Sequence, residues 1–229
     1  MDRQHLIFDA DDTLWENNRI FEEVIADFID WLDHPTLDRA GVRRVLDDAA
    51  RANVVAHGYG TKIFIRSLED GYHSLAPRAV RREDLDAIAE LVRRLTWEEL
   101  EIIAGVPETL AALAARHDLL LLTKGDDAEQ RRKLEVSGLA RHFRAAVVVR
   151  EKDTEAYRSL VTDHGLDPAR TWMIGNSPKS DILPALEAGL SAVLVPHEHT
   201  WVLEHAEIPD EPDGRLLIVG RFGDLVEHF

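Results

Sequence analysis

Near its amino end the chain reads Leu6-Ile7-Phe8-Asp9-Ala10-Asp11-Asp12-Thr13. The short apolar run predicts a buried strand, and the carboxylates that follow predict a polar loop at the carboxyl end of that strand. Open α/β sheets bind their ligands beyond the carboxyl ends of their strands. Asp9 and Asp11 are suited to a division of labour in which one carboxylate attacks as a nucleophile and the other moves a proton. The alternative is an acidic turn that caps the next helix.

The composition describes a globular chain with an acidic charge balance. The chain has 229 residues, a net charge of -16 and an apolar fraction of 45%. That length holds one large domain, or a core domain with a smaller insertion. The negative charge disfavours nucleic acid as a partner, because phosphate backbones would be repelled. The sequence shows no run of apolar residues that could cross a bilayer, no signal peptide and no cysteine. We therefore expect a cytoplasmic protein that has neither membrane nor nucleic acid as a partner.

From residue 117 onward, short apolar runs alternate with helical segments. Strands are predicted at 119–122, 145–149, 172–174, 192–195 and 216–219, and helices at about 130–136, 155–164 and 182–188. Repeated strand-then-helix units of this length predict a doubly wound, mainly parallel α/β sheet with helices on both faces. The stretch 208–214 contains two prolines and favours a surface loop.

The region that follows the acidic loop has a different pattern. Apolar residues recur at helical spacing over 20–32, 42–49 and 85–95, and no strand pattern interrupts them. The sequence therefore predicts a helical insertion at 16–105, flanked by the core segments 1–15 and 106–229. The apolar stripes are assigned to packing.

Polar side chains follow four of the predicted strands. In chain order they are Asp9 and Asp11, then Thr123, then Lys152, then Asn176 with Asp181. This order resembles the four motifs of the haloacid dehalogenase superfamily, which are Asp-x-Asp-x-Thr, a Ser or Thr, a lysine and an acidic motif. The resemblance implies a Rossmann-like core and identifies the insertion at 16–105 as an all-helical cap placed after the first strand.

The same resemblance implies a Mg2+-dependent phosphatase that acts on a small phosphorylated metabolite through an aspartyl-phosphate. Asp9 would attack phosphorus and Asp11 would move the protons, while Thr123 and Lys152 would hold and neutralise the phosphoryl group. The implied Mg2+ ligands are Asp9, Asp11, Asp181 and Asn176, with water and a backbone carbonyl completing an octahedron. Phosphatases of the family usually carry Asp where this chain has Asn176. An amide brings no charge, so Asn176 is expected either as a neutral ligand or as a residue that orients a metal-bound water.

Two further segments are candidates for substrate binding. The first consists of Thr123, Lys124 and Gly125, although a solvated position is the simpler expectation for the side chains of Lys124 and Asp126. The second is the predicted loop His57-Gly58-Tyr59-Gly60-Thr61-Lys62 of the insertion. Its glycines permit a close approach to a ligand, so Tyr59 and Lys62 are predicted to contact the leaving group. The alternative is a plain turn between helices with a solvated lysine.

Two other functions remain open from the sequence. A 2-haloacid dehalogenase of the same fold also attacks through an aspartate but needs no metal. Asn176 is compatible with that activity, whereas Asp11 opposes it, because dehalogenases of this family lack a second aspartate at that place. The other alternative is a binding protein that has kept the fold and lost the chemistry, and the intact motif residues oppose it. The run His197-Glu198-His199 shows no further ligand nearby and favours a surface loop over a metal site.

Overall fold

The computed structural model describes residues 2–76, 78–208 and 214–229. The chain divides into two compact units, one formed by Met1–Asn18 with Glu98–Phe229 and the other by Arg19–Trp97. The loop predicted at 208–214 falls mostly on residues 209–213, outside the described residues. Among the helices that the structure describes, none combines the length and the apolar character that a membrane span requires.

The larger unit is built on a six-stranded parallel sheet with the strand order β3-β2-β1-β4-β5-β6. The strands are β1 (His5–Phe8), β2 (Asp118–Lys124), β3 (Ala145–Val149), β4 (Thr171–Gly175), β5 (Ser191–Leu194) and β6 (Leu216–Ile218). The predicted doubly wound α/β core is thereby confirmed. The strand order reverses between β1 and β4, and ligands of such sheets bind at that point. Asp9 follows β1 and Asn176 follows β4, so two predicted motifs meet there.

Alternate residues of the central strands enter two different cores. Leu119 and Leu121 of β2 pack with residues of helix α5 (Val106–Ala114). Leu120 and Leu122 pack with residues of α7 (Thr154–His164) and α8 (Leu183–Glu187) on the other face of the sheet. Successive side chains of a strand point to opposite faces. A strand that is covered on both faces therefore needs the uninterrupted apolar run that this sequence shows.

The smaller unit is helical. Its helices are α1 (Asn18–Leu32), α2 (Arg39–His57), α3 (Thr61–Leu75) and α4 (Arg82–Leu91). Helix α2 begins after Asp38, whose carboxylate accepts a hydrogen bond from the Gly41 N–H at 2.7 Å. Arg43 of α2 donates to Glu22 of α1 at 2.9 Å. The bounds of this unit, Arg19–Trp97, lie inside the insertion that the sequence predicts.

Helix α3 corrects the prediction of a loop over residues 57–62. The loop ends earlier, since α3 begins at Thr61 and contains Lys62 in its first turn. Gly58 and Gly60 have φ angles of 86° and 124°, which other residues rarely adopt, so these glycines form a tight turn between α2 and α3.

We expect Leu120→Ala to destabilise the larger unit strongly. Leu120 is 0% exposed, so the substitution removes buried methyl groups and leaves a cavity, at a cost of about 2–5 kcal/mol in the free energy of unfolding. Ile218→Ala is the matched control, because Ile218 is also a strand residue but is 65% exposed. Urea unfolding followed by circular dichroism measures both. Equal losses in the two variants would contradict the assignment of Leu120 to the core.

Candidate functional site

The polar cluster between β1 and β4 is centred on the ammonium group of Lys152. Lys152 Nζ donates to Asp9 Oδ1 and, at 2.7 Å, to Asp181 Oδ1. All three side chains are buried, with exposures of 3% for Lys152, 6% for Asp9 and 0% for Asp181. Burial lowers the pKa of Lys152, but the two carboxylates outweigh this effect and leave the pKa above its usual value. The lysine is therefore a charged, fully paired group.

The cluster around Asp9 has more negative than positive charge. Burial raises the pKa of Asp9 to about 7, and the nearby carboxylate of Asp181 adds to the rise, while Lys152 opposes it. One ammonium group thus faces two buried carboxylates. A divalent cation with oxygen ligands would relieve this surplus, and carboxylate and amide oxygens are ligands that suit Mg2+. The donor set of the cluster therefore fits such an ion.

Asn176 presents its amide oxygen to the same cluster. Thr13 Oγ1 lies 3.2 Å from Asp9 Oδ2 and 3.2 Å from Asn176 Oδ1. On its other side, Asn176 Nδ2 donates to Thr200 Oγ1 at 3.0 Å. The hydroxyl of Thr200 donates its single hydrogen to His197 O at 2.9 Å, so it acts as an acceptor toward Asn176. This pattern orients the amide with its oxygen on the side of Asp9.

The turn after β4 holds Asp181 in place. The Ser177 N–H donates to Asp181 Oδ2 at 2.9 Å. A Cβ atom added to Gly175 would lie 2.2 Å from the same oxygen, so any larger residue at that position would displace the carboxylate. Residues Pro178–Ile182 form a π-helical turn, a distortion that is frequent at functional sites.

Asp11 is surrounded by hydrogen-bond donors. Trp15 Nε1 donates to Asp11 Oδ1 at 2.7 Å, and Gln130 Nε2 donates to Oδ2 at 2.8 Å. Lys133 Nζ lies 3.1 Å and 3.3 Å from the two oxygens and also donates to Asn17 Oδ1 at 2.8 Å. Gln130 and Lys133 belong to helix α6 (Asp127–Val136), and neither is among the residues that the sequence predicts for the site.

The segment after β2 departs from the sequence prediction in part. Thr123 is buried, with 2% of its surface exposed, at the end of the strand. The expectation that the side chains of Lys124 and Asp126 are solvated is wrong. Lys124 is 14% exposed and donates to Ser180 Oγ at 2.8 Å, whereas Asp126 caps helix α6. Gly125, also a candidate for substrate binding, donates its N–H to Val149 O at 3.2 Å.

Glu204 connects the segment after β2 with the turn after β4. Its carboxylate accepts hydrogen bonds from Lys124 Nζ at 2.7 Å, Ser177 Oγ at 2.6 Å and Ser180 Oγ at 2.5 Å. Burial raises the pKa of Glu204, but Lys124 and the two hydroxyl groups reverse this effect and lower the pKa to about 2. The sequence offers no signal for Glu204, because it lies 80 residues from Lys124 and far from the four motifs.

A second polar cluster joins Asp12, Glu16 and His197. Their candidate ligand atoms lie within 4.8 Å of one another, and His197 Nε2 is 3.2 Å from Glu16 Oε1. Asp12 has a φ angle of 60° and accepts the N–H groups of residues 17 and 18, each at 2.9 Å. Burial raises the pKa of Asp12 to about 6. The predicted surface loop at 197–199 therefore packs through His197, which is 12% exposed, against the acidic loop.

Tyr59 and Lys62 lie in the helical unit. Tyr59 is partly buried in the turn between α2 and α3, and Lys62 is exposed in the first turn of α3. Their contact with a substrate stays a prediction.

Comparison with known proteins identifies relatives of the chain. The profile of a haloacid dehalogenase-like hydrolase family matches residues 4–189, which confirms the resemblance that the four motifs indicate. A haloacid dehalogenase-like family hydrolase from Xanthomonas campestris has a similar crystal structure, with a TM-score of 0.84 and 33% identity over 99% of this chain and 90% of that one.

Two curated relatives match over a shorter region. A phosphoserine phosphatase from Thermus thermophilus is 32% identical over 116 residues, which are 48% of this chain and 43% of that protein. An N-acylneuraminate-9-phosphatase from Rattus norvegicus is 31% identical over 123 residues, which are 52% of this chain and 45% of that protein. The match therefore spans less than half the length of either relative.

We expect the free energy of unfolding of the metal-free Asp9→Asn variant, compared with that of the wild type, to be higher at pH 8 than at pH 4. The pKa of Asp9 is about 7 in the folded protein and near 4 in the unfolded chain. The folded state therefore binds the extra proton between these values, so the contribution of Asp9 to stability falls as the pH rises from 4 to 7.

The amide of Asn at position 9 does not titrate, so its contribution to stability does not depend on pH. The difference in unfolding free energy between variant and wild type should grow by at most about 4 kcal/mol from pH 4 to pH 7 and stay constant above pH 7. Urea unfolding of both proteins with a chelator present measures this difference. A difference that is independent of pH would contradict the raised pKa.

Proposed function

Because the chain belongs to the haloacid dehalogenase-like hydrolase family, we propose that it is a Mg2+-dependent phosphatase that hydrolyses a small phosphomonoester. The observation that carries this proposal is the buried contact of Lys152 with Asp9 and Asp181, beside the amide oxygen of Asn176. A nucleophile, a fixed positive charge and oxygen ligands for a cation are thereby combined in one cluster. The two relatives that are named phosphatases support the same reaction class.

In the proposed reaction, a carboxylate oxygen of Asp9 attacks phosphorus and the bond from phosphorus to the leaving oxygen breaks. Asp11 donates a proton to that oxygen, which leaves as an alcohol. A water molecule then attacks the aspartyl-phosphate, Asp11 takes its proton, and inorganic phosphate leaves with the carboxylate of Asp9 restored. Lys152 neutralises charge on the nucleophile and on the phosphoryl oxygens throughout.

The proposed Mg2+ ligands are Asp9, Asp181, Asn176 and Asp11. Because the carboxylate of Asp11 is engaged by Trp15 and α6, we assign to Asp11 the backbone carbonyl ligand. When bound, the ion would supply positive charge to the phosphoryl oxygens.

The proposed phosphate-binding segment runs from Thr123 to the first turn of α6. Its donors are the hydroxyl of Thr123 and the amino end of the helix, where the dipole favours an anion. Lys124 supports this segment through Glu204, and Gly125, with a φ angle of 132°, turns the chain into the helix. We propose that the helical unit is a cap that excludes water and contacts the leaving group through Tyr59 and Lys62.

Asp9→Asn should abolish hydrolysis of p-nitrophenyl phosphate in the presence of Mg2+, because an amide does not attack phosphorus usefully. Circular dichroism of the variant checks that the fold is retained. A variant that kept a tenth of the wild-type rate would contradict the role of Asp9 as the nucleophile. Release of chloride from 2-chloropropionate by the wild type, without phosphate release from any phosphomonoester, would replace the proposal with a dehalogenase.

Asn176→Asp should strengthen Mg2+ binding. At an effective dielectric constant near 20, two unit charges about 4 Å apart interact by roughly 4 kcal/mol, and the energy scales with the product of the charges. Desolvation, repulsion from Asp9 and the lost bond to Thr200 oppose this gain. We expect a net improvement of about 1 kcal/mol, or roughly fivefold in Kd.

Isothermal titration calorimetry with Mg2+ measures this effect without an activity assay. Asn176→Leu is the matched control, because it retains a similar volume but has no ligand oxygen, and we expect it to bind Mg2+ more weakly than the wild type. Three identical dissociation constants would exclude residue 176 from the metal site.

A further inference from the structure

We propose that helix α6 is a positioning element for Asp11, in which Lys133 and Gln130, together with Trp15, determine where the carboxylate points. The inference rests on the proposed function, because it concerns the residue that moves protons in that reaction. Neither Lys133 nor Gln130 belongs to any of the four sequence motifs, and the fold brings both of them to Asp11.

Both carboxylate oxygens of Asp11 accept hydrogen bonds. One oxygen of the carboxylate receives Trp15 Nε1 at 2.7 Å, the other receives Gln130 Nε2 at 2.8 Å, and Lys133 Nζ contacts both, at 3.1 Å and 3.3 Å. The side chain of Lys133 is 1% exposed, whereas that of Asp11 is 24% exposed. The carboxylate of Asp11 is therefore held by a buried donor on its inner side and remains accessible to solvent on its outer side.

Burial of these polar groups is not explained by packing alone. Gln130, Lys133 and Leu134 are the buried residues of α6, and their spacing places them on one face of the helix. A buried ammonium group is costly unless it is paired, and well-packed apolar residues usually stabilise such a position as well or better. The polar face of α6 is therefore better explained by its contact with Asp11 than by a contribution to stability.

Orientation matters for a residue that transfers protons. An acid or base must lie within hydrogen-bond distance of the oxygen that it serves, and a misplacement of about 1 Å costs roughly 100-fold in rate. Asp11 serves two oxygens in the proposed reaction, that of the leaving group and that of the attacking water. Donors on both carboxylate oxygens restrict its rotation, so both transfers start from one defined geometry.

Lys133 also connects this geometry to the segment that precedes α1. Its ammonium group donates to Asn17 Oδ1 at 2.8 Å and lies 3.4 Å from Glu129 Oε1 on its own helix. Besides Asp11, the ammonium group thus contacts Asn17, in the segment that leads into α1, and Glu129 of its own helix.

The test compares Lys133→Met, Gln130→Leu and the control Arg132→Met. Arg132 is a cation on the same helix, but it is 55% exposed and pairs with Glu135 at 3.1 Å. Each protein is assayed with Mg2+ on p-nitrophenyl phosphate, whose leaving group needs no proton, and on glycerol 2-phosphate, whose leaving group needs one. Stopped-flow absorbance records the first turnover of the aryl substrate.

For Lys133→Met we expect kcat on glycerol 2-phosphate to fall about 100-fold, with KM within about twofold of the wild type. On p-nitrophenyl phosphate the attack by Asp9 should stay fast while hydrolysis of the aspartyl-phosphate slows, since that step needs Asp11 as a base. The variant should therefore release a burst of about one nitrophenolate per active site. Gln130→Leu should show the same pattern at a smaller amplitude, and Arg132→Met should match the wild type.

Gln130→Leu removes no buried charge, so this variant is compared with the wild type if Lys133→Met does not fold. Equal losses on both substrates without a burst would mean that α6 only stabilises the site and would overturn the inference. Wild-type behaviour of the two α6 variants would overturn it as well. Neither result affects the proposed function, which fails separately if the wild type hydrolyses no phosphomonoester.

Discussion

The buried contact of Lys152 with Asp9 and Asp181 is the interaction on which the site depends. These residues are brought together from the carboxyl ends of three parallel strands, and Asp9 and Lys152 are 143 residues apart in the chain. Loss of Lys152 would leave two buried carboxylates without compensation, and breaking a buried ion pair in this way typically costs about 3–5 kcal/mol. The strand order of the sheet therefore also decides whether the ammonium group of Lys152 can neutralise the carboxylates of Asp9 and Asp181.

The ends of β1, β2 and β4 are each supported by a polar contact from outside the motifs. Helix α6 holds Asp11, Glu204 holds Lys124 and the turn after β4, and Thr200 orients Asn176. Donors and dipoles that are fixed before the substrate arrives need no reorganisation during the reaction. The arrangement is thus suited to stabilising charge that develops at one fixed point, which is what phosphoryl transfer requires.

The charge distribution of the cluster also links the proposed binding of a divalent cation to the stability of the fold. Because Asp9 is desolvated, its pKa is raised to about 7, and the folded protein without a cation is penalised near neutral pH. A bound divalent cation would remove that penalty and would stabilise the folded state by mass action. The same carboxylate thus couples the proposed nucleophile, the proposed ion and the stability of the core.

The sequence by itself determined the doubly wound core and the four strand ends that carry polar residues, because strands and their ends are local patterns of apolar and polar residues. It did not show helix α3, since Gly58 and Gly60 resemble a loop that continues through Lys62. Only the tertiary structure revealed the contacts of Lys133 and Glu204. Lys133 lies in a run of charged residues and meets Asp11 across 122 positions, and no local pattern distinguishes a buried, paired lysine from a solvated one. That difference is decided by what the fold packs around the ammonium group.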